Sequence, residues 1–205
     1  MSCSSLSKTL TITIVVGILS GAAGAYIVDA LPKSQDALIH EFYDVETATS
    51  VSPHHIRKGI AKGDRSFVLV DLRSQEEYEM EHVIGAYNVP AYRDPDHSAY
   101  GDVERIVGGF KELEEKYPDR ELIVYCYSIP CMTGRKIGKL LADHGVYVKH
   151  LGVGWNEWRY HWTLWNHPHE WEQTNVMDYV ISGPEPGEFT GDMDLSPCIE
   201  GQFGC

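Results

Sequence analysis

The sequence has little positive charge, and no lysine or arginine follows Arg159, although acidic residues continue to Glu200. Against 17 Lys and Arg residues stand 30 Asp and Glu residues, which gives a formal net charge of −13. A surface of this sign repels phosphate backbones and anionic lipid head groups. The composition therefore argues against a general anionic partner, and no nucleic acid is expected to bind.

Long hydrophobic runs are also scarce, and one uncharged stretch of twenty residues stands out at residues 9–28. About twenty helical residues span the hydrocarbon core of a bilayer, which is roughly 30 Å thick. The stretch is interpreted as a transmembrane anchor, and its Gly17-x-x-x-Gly21 spacing would let two such helices approach closely. A cleaved signal segment stays open as the alternative, because the small residues 23–25 resemble a signal-peptidase site.

The charge that flanks this stretch predicts its orientation. Lys8 precedes the stretch, so the positive-inside rule places the rest of the chain on the exported, periplasmic or extracytoplasmic side. The layout expected at this end is a cap at residues 1–8, the anchor or signal segment, and a linker at residues 29–50. The protein is thus expected to be membrane-anchored, with an exported domain.

Cysteine is scarce as well, with five residues in the chain. Cys198 and Cys205 lie in a Gly- and Pro-rich tail with few means of packing, and an oxidising compartment makes them candidates for a structural disulfide. Cys3 precedes the apolar stretch without a lipobox and is interpreted as incidental. Cys126 and Cys131 are therefore the pair of functional interest.

Between residues 51 and 172, short apolar runs alternate with helix signals. The runs are typical of strands buried on both faces and lie at residues 67–70, 86–90, 122–125 and 146–151. The helix signals are the pair Ser52-Pro53, a capping box of Ser74 and Glu77, an amphipathic stretch from Val103 to Leu113, and Thr133 as a cap. This alternation predicts an α/β domain with a parallel sheet and helices on both faces, and with ligand sites at the carboxyl ends of strands.

The segments on either side of this domain are expected to be less regular. Residues 29–50 mix polar and aromatic types without a sustained period, which predicts a linker with one helical turn near Leu38. From residue 173 to residue 205, Gly, Pro and acidic residues dominate. This composition predicts a loosely ordered acidic tail.

Tryptophan recurs at helical spacing after the last predicted strand, at positions 155, 158, 162 and 165. The stripe is interpreted as one helix that packs on the domain or on the membrane surface, and a binding face for a protein partner is the alternative. His161, His167 and His169 lie nearby, without paired Cys or carboxylates at a metal-ligand spacing. No metal and no cofactor are predicted.

Several stretches resemble the signatures of the rhodanese family. The resemblance to the amino-terminal signature is carried by Leu69-Val70-Asp71-Leu72-Arg73, Glu77-Tyr78, His82, Ile84-Gly85-Ala86 and Asn88-Val89-Pro90. Val124-Tyr125-Cys126, followed by a loop and a helix, is similar to the active-site signature. Leu151-Gly152 with Gly154 and Trp155 resembles the strand and turn that close the domain. The resemblance covers about residues 51 to 165 and implies a rhodanese-like fold.

The resemblance also implies sulfurtransferase chemistry, of the thiosulfate:thiol or thiosulfate:cyanide type. A thiolate takes the outer sulfur of a small anionic donor, holds it as a persulfide and passes it to an acceptor. Cys126 is the implied nucleophile, because a curled loop and a helix dipole favour both a thiolate and an anion. Arg135 is the candidate for donor binding, with Ser128 and Thr133 as further substrate contacts.

The loop after Cys126 departs from the rhodanese pattern. It is longer by one or two residues than the loop of ordinary rhodaneses, and related phosphatases use such a lengthening to hold phosphate. Phosphatase activity is disfavoured, because the arginine of their pattern would have to stand where this chain has Met132. Cys131 inside the loop is a candidate for a resolving thiol or, with the roles exchanged, for the nucleophile.

Three functions therefore stay open. The first is an exported, membrane-anchored sulfurtransferase that carries sulfane sulfur as a persulfide on Cys126. The second is a thiol–disulfide redox protein that uses Cys126 and Cys131. The third is a catalytically silent rhodanese-like module that binds a protein partner at its Trp-rich helix.

Overall fold

The computed structural model describes residues 11, 13–18, 20, 21 and 32–191. The chain divides into two compact units, Met1–Val45 and Glu46–Cys205. The anchor or signal segment predicted at residues 9–28 lies partly outside the described residues, and its described part is helical. Among the residues that the structure describes, no helix has both the length and the apolar character that a membrane span needs. Cys3, Cys198 and Cys205 lie outside the described residues, so the disulfide stays a prediction.

The predicted linker contains a longer helix than the sequence indicated. Helix α1 (Gln35–Thr49) has 15 residues where a single turn was expected. Ser34 starts it, because its Oγ accepts a hydrogen bond from the Ala37 N–H at 3.2 Å. No glycine or proline interrupts the segment. None of its residues is buried, which explains why the sequence shows no apolar period there.

The second unit is built on a parallel sheet. In chain order, the strands are β1 (Ser50–Val51), β2 (Phe67–Asp71), β3 (His82–Val83), β4 (Tyr87–Asn88), β5 (Tyr92–Asp94), β6 (His97–Ser98), β7 (Glu121–Tyr125), β8 (Val148–Leu151) and β9 (Val180–Ile181). Five of them form the main sheet in the order β1-β8-β7-β2-β4, with parallel neighbours throughout. The register places Asp71 beside Tyr125, so the ends of β2 and β7 lie together.

Helices cover both faces of this sheet. They are α2 (Pro53–Lys62), α3 (Gln75–Met80), α4 (Val103–Lys116), α5 (Thr133–Ala142) and α6 (Trp155–Arg159). In β2, Val68 and Val70 join the core that α4 and α5 cover, whereas Leu69 joins the core on the opposite face with Ile56 and Trp158. The predicted parallel α/β class is confirmed.

Two helix starts follow the local signals that the sequence shows. Helix α2 begins after Ser52 with Pro53 as its first residue, and ends at Gly63, whose φ of 67° lies in the left-handed region. Helix α3 has the predicted capping box, in which Ser74 and Glu77 satisfy each other's backbone N–H groups. Both helices are therefore set by residues close together in the chain.

The tryptophan stripe does not form one helix. Helix α6 ends at Arg159, and a separate 3-10 turn follows at Trp162–Leu164. The break turns the chain back, so that the Trp165 ring stacks on Trp158 with 5.1 Å between the ring centroids. Trp158 is 1 % exposed, so these rings form core packing, and a protein partner at this segment stays a prediction.

The segment after residue 172 is more ordered than the sequence predicted. A 3-10 helix at Val176–Tyr179 leads into β9, which pairs antiparallel with β3. Tyr179 is buried, and its ring stacks on Phe189. The apolar residues scattered among Gly, Pro and acidic positions cover the sheet face that α2 and α6 share, so the domain continues past the expected boundary.

Candidate active site

The structure brings the two cysteines of interest together at the carboxyl end of β7. Cys126 follows β7 directly, and α5 begins at Thr133 after a short loop. The two Sγ atoms lie 3.5 Å apart, and both thiols are free. Cys126 is 2 % exposed, whereas Cys131 is only partly buried. Cys126 and Cys131 are called the thiol pair below, and residues 126–132 the thiol loop.

The start of α6 holds the beginning of the thiol loop through backbone hydrogen bonds. The Trp155 N–H donates to the Cys126 carbonyl at 2.8 Å, and the Asn156 N–H donates to the Tyr127 carbonyl at 2.8 Å. These carbonyls belong to the first two residues of the loop. The turn after β8 therefore fixes the position of Cys126.

Gly154 makes this close approach possible. A Cβ at position 154 would lie 2.2 Å from the Ser128 nitrogen, much closer than real Cβ atoms come to backbone. The Gly154 φ of −102° suits any residue. Glycine is therefore needed at this position because there is no space for a side chain, and not because of the backbone conformation. Glu157 adds a side-chain clamp, since its Oε2 accepts from the Ile129 N–H at 3.1 Å and from the Gly154 N–H at 2.9 Å.

Arg135 and Ser128, which the sequence predicted to contact substrate, also shape the thiol loop. Arg135 Nη1 lies 3.3 Å from the carbonyls of Ile129 and Cys131, to which it donates. The Ser128 carbonyl accepts from the Cys131 N–H at 3.0 Å. Arginine has five N–H donors, so this contact leaves others on an exposed guanidinium.

Thr133 forms a cluster of hydroxyl groups beside Cys131. Its Oγ1 lies 3.3 Å from Cys131 Sγ, 2.8 Å from the Tyr92 hydroxyl and 2.6 Å from the Tyr100 hydroxyl. Thr133 is 2 % exposed, and the tyrosines come from the hairpin of β5 and β6 and the turn after it. Tyr92, Tyr100 and Thr133 are called the hydroxyl cluster below. Sequence reasoning missed both tyrosines, since no local motif links them to the thiol loop.

The environment raises the pKa of one thiol and lowers that of the other. Burial raises the pKa of Cys126, and the neighbouring Cys131 raises it further. Burial also acts to raise the pKa of Cys131, but hydrogen bonds from the Thr133 hydroxyl and N–H and from Cys126 outweigh it, so the pKa of Cys131 is lowered. The first proton therefore leaves the thiol pair from Cys131, beside the start of α5.

A second polar contact ties the thiol loop to α3. The Tyr127 hydroxyl donates to Glu77 Oε2, which also accepts from Ser74 Oγ at 2.6 Å. The Tyr127 ring meets Tyr92 edge to face, with 5.1 Å between centroids. The capping box predicted for α3 therefore also supports the loop, and this role was not visible in the sequence.

Asp71 and Arg73 form the buried support beneath the site. Arg73 Nη2 lies 2.7 Å from Asp71 Oδ2, which also accepts from the Tyr125 hydroxyl at 2.7 Å. The Arg73 guanidinium lies over the Trp155 ring, 4.3 Å from its centroid. The network joins the ends of β2 and β7 to α6, so the contacts of this pair are structural.

Comparison with known proteins places the chain in a family. Residues 52–161 match the model of the Rhodanese-like domain. Over 121 residues the chain is 31% identical to the thiosulfate:glutathione sulfurtransferase of Saccharomyces cerevisiae. This match covers 58% of this chain and 83% of that protein. Over 91 residues it is 32% identical to the HTH-type transcriptional regulator Rv0324 of Mycobacterium tuberculosis. This second match covers 44% of this chain and 34% of the regulator.

The chain thus spans about a third of the regulator's length. Among solved structures, the Rhodanese-like domain from the Anabaena sp Alr3790 protein matches with a TM-score of 0.37 and 20% identity, over 52% of this chain and 68% of that one. Since the family model covers more than half of its residues, the chain belongs to the rhodanese-like domain family.

Proposed function

We propose that this domain is a sulfurtransferase that carries sulfane sulfur as a persulfide on Cys126. The observation that carries the proposal is the free thiol pair at the end of β7, where the two Sγ atoms lie 3.5 Å apart. Cys126 holds the position of the nucleophile in the rhodanese signature. The similarity to a thiosulfate:glutathione sulfurtransferase supports a thiosulfate-like donor and a thiol acceptor.

Cys131 acts as the base in the first step. Its thiolate forms before that of Cys126 and lies 3.5 Å from the Cys126 thiol, so it is the charged group in position to accept the Cys126 proton as Cys126 attacks the donor. Cys126 Sγ bonds to the outer sulfur of thiosulfate, the sulfur–sulfur bond of the donor breaks, and sulfite leaves with the electron pair. Cys126 then holds the persulfide and Cys131 holds the proton.

An acceptor thiolate completes the transfer. It attacks the outer sulfur of the persulfide, and Cys126 leaves as a thiolate that takes its proton back from Cys131. The starting protonation state of the thiol pair is thereby restored. One hydrogen-bonded pair of sulfur atoms thus handles the proton in both halves of the reaction.

Positive charge near the start of α5 supports binding of an anionic donor. The Arg135 guanidinium is exposed at the thiol loop, and Lys136 Nζ lies 5.5 Å from the centroid of the Tyr100 ring. Because the protein as a whole is acidic, these cations are needed to offset repulsion of a dianion. We assign donor binding to Arg135, with Ser128 of the thiol loop and Thr133 at the start of α5 as further contacts.

Intact-mass measurement after incubation with thiosulfate tests the proposal. The reduced 205-residue chain is used with Cys3, Cys198 and Cys205 replaced by serine, so that the thiol pair holds all the thiols. A Cys131→Ser variant is expected to gain one sulfur atom during a long incubation at alkaline pH, where hydroxide replaces the missing base, because Cys126 remains as the carrier. A Cys126→Ser variant is expected to gain none.

Two outcomes contradict the proposal. Sulfur gain in Cys126→Ser but not in Cys131→Ser would make Cys131 the carrier. Gain in neither variant, even at alkaline pH, would leave the domain without transferase chemistry, as a redox protein or a silent module.

A further inference from the structure

We infer that Cys131 resolves the Cys126 persulfide, so that the domain releases sulfide and closes into an internal disulfide when no acceptor is present. The inference rests on the proposed persulfide and adds a second product to the same site. Its basis is the placement of Cys131 Sγ, 3.5 Å from Cys126 Sγ. This distance applies directly to the reaction, because Cys126 Sγ becomes the inner sulfur of the persulfide, which is the atom that Cys131 attacks.

The thiol loop holds Cys131 at this distance. The Cys131 N–H donates to the Ser128 carbonyl at 3.0 Å, and its own carbonyl accepts from Arg135. Reacting atoms held about 3 to 3.5 Å apart are close to the geometry of attack, and such placement replaces a bimolecular encounter. Cys131 is therefore in place whenever a persulfide forms on Cys126.

The hydroxyl cluster favours the reactive state of Cys131. A threonine hydroxyl has one proton and two acceptor sites. A Cys131 thiolate can only accept, so the Thr133 hydroxyl 3.3 Å away then donates to it, while Thr133 Oγ1 can still accept from the Tyr92 and Tyr100 hydroxyls with which it is hydrogen-bonded. A hydrogen bond to the charged form stabilises a thiolate, and the thiolate is the attacking species in thiol–disulfide exchange.

The fixed position of Cys131 favours the internal route over an external acceptor. Cys131 Sγ already lies 3.5 Å from the inner sulfur, whereas a dissolved thiol must diffuse to the outer sulfur. An external acceptor competes only through its concentration, while the neighbouring thiol acts at a fixed, high effective concentration. Sulfide release is thus expected to dominate when acceptor thiols are scarce.

The step balances in atoms and electrons. The proton on Cys131 first passes to the outer sulfur, which gives a Cys126 hydropersulfide and a Cys131 thiolate. Cys131 Sγ bonds to Cys126 Sγ, the bond between inner and outer sulfur breaks, and hydrosulfide leaves with the electron pair. The sulfane sulfur is reduced, and the two cysteines are oxidised to a disulfide. A dithiol reductant reopens the pair by two exchange reactions.

Acceptor-free incubation with thiosulfate tests the inference, in the same chain with Cys3, Cys198 and Cys205 replaced by serine. The chain that keeps both Cys126 and Cys131 is expected to release one equivalent of sulfide, and its intact mass is expected to fall by two hydrogens. Cys131→Ser is expected to keep its persulfide and release no sulfide. Persulfide that persists on the chain with both thiols, without sulfide, would overturn the inference while the proposed function stands. Failure of Cys131→Ser to gain sulfur even at alkaline pH would instead overturn the proposed function.

Tyr100→Phe tests how the hydroxyl cluster acts on Cys131. Loss of the hydrogen bond between the Tyr100 hydroxyl and Thr133 Oγ1 is expected to raise the pKa of Cys131 and to slow sulfide release at neutral pH by roughly three- to tenfold. The rate is expected to recover at higher pH, so the pH profile shifts upward. Measuring the rate of sulfide release against pH separates this shift from general damage, which lowers the rate at every pH.

Tyr117→Phe is the matched control for this prediction. The Tyr117 hydroxyl bonds to the Tyr87 hydroxyl, away from the thiol loop, and its loss is expected to leave the pH profile unchanged. An unshifted profile for Tyr100→Phe would show that the hydroxyl cluster does not set the acidity of Cys131.

Discussion

Replacing Gly154 with alanine is expected to lower kcat/KM for the proposed sulfur transfer from thiosulfate to a thiol acceptor about 100-fold. The new Cβ would lie 2.2 Å from the Ser128 nitrogen and 2.4 Å from the Ser128 Cα, so backbone must move. A shift of about 1 Å in a reacting group costs on the order of 100-fold in rate. Steady-state kinetics of the variant measure the loss.

Gly108→Ala in α4 is the matched control. A Cβ there meets nothing within 4 Å, and alanine is favoured over glycine inside a helix by roughly 0.5 to 1 kcal/mol. This variant is expected to keep wild-type kinetics and to gain stability. Wild-type kcat/KM in Gly154→Ala would show that the position of the thiol loop does not depend on the turn before α6.

The parts of the fold that the sequence predicted correctly are set by local chemistry. The capping box of Ser74 and Glu77 needs residues three apart, and the start of α2 needs only Ser52 and Pro53. The apolar run before Cys126 marks a strand buried on both faces, because both sheet faces exclude water. Such patterns were enough to place the thiol pair between a buried strand and the start of a helix.

Contacts between distant residues account for what the sequence did not predict. Tyr92 and Thr133 are 41 positions apart, and no periodicity brings their hydroxyls together. The segment at residues 176–189 has the composition of a loose tail, yet Tyr179 and Phe189 pack into the core. The tryptophan spacing fits one helix, but the stacking of Trp165 on Trp158 requires the chain to turn back. Tertiary packing decides all three.

Replacing Asp71 with asparagine is expected to lower the free energy of unfolding by about 3 to 5 kcal/mol. Asp71 is fully buried, and asparagine keeps its size while removing the negative charge. Arg73, which is 2 % exposed, would then be a buried cation without its carboxylate, and the Tyr125 hydroxyl would compete for one remaining oxygen. Urea unfolding followed by tryptophan fluorescence measures the change.

Asp143→Asn is the matched control for this carboxylate. Asp143 pairs with Lys139 at 2.9 Å, but both side chains are exposed, so its loss is expected to change stability by less than about 0.5 kcal/mol. Equal stability of the two variants would show that the Glu81 carbonyl and the Trp155 ring, which also contact Arg73, suffice for its charge. The expected difference instead makes Asp71 the residue that fixes the end of β7, one position before the thiol pair begins.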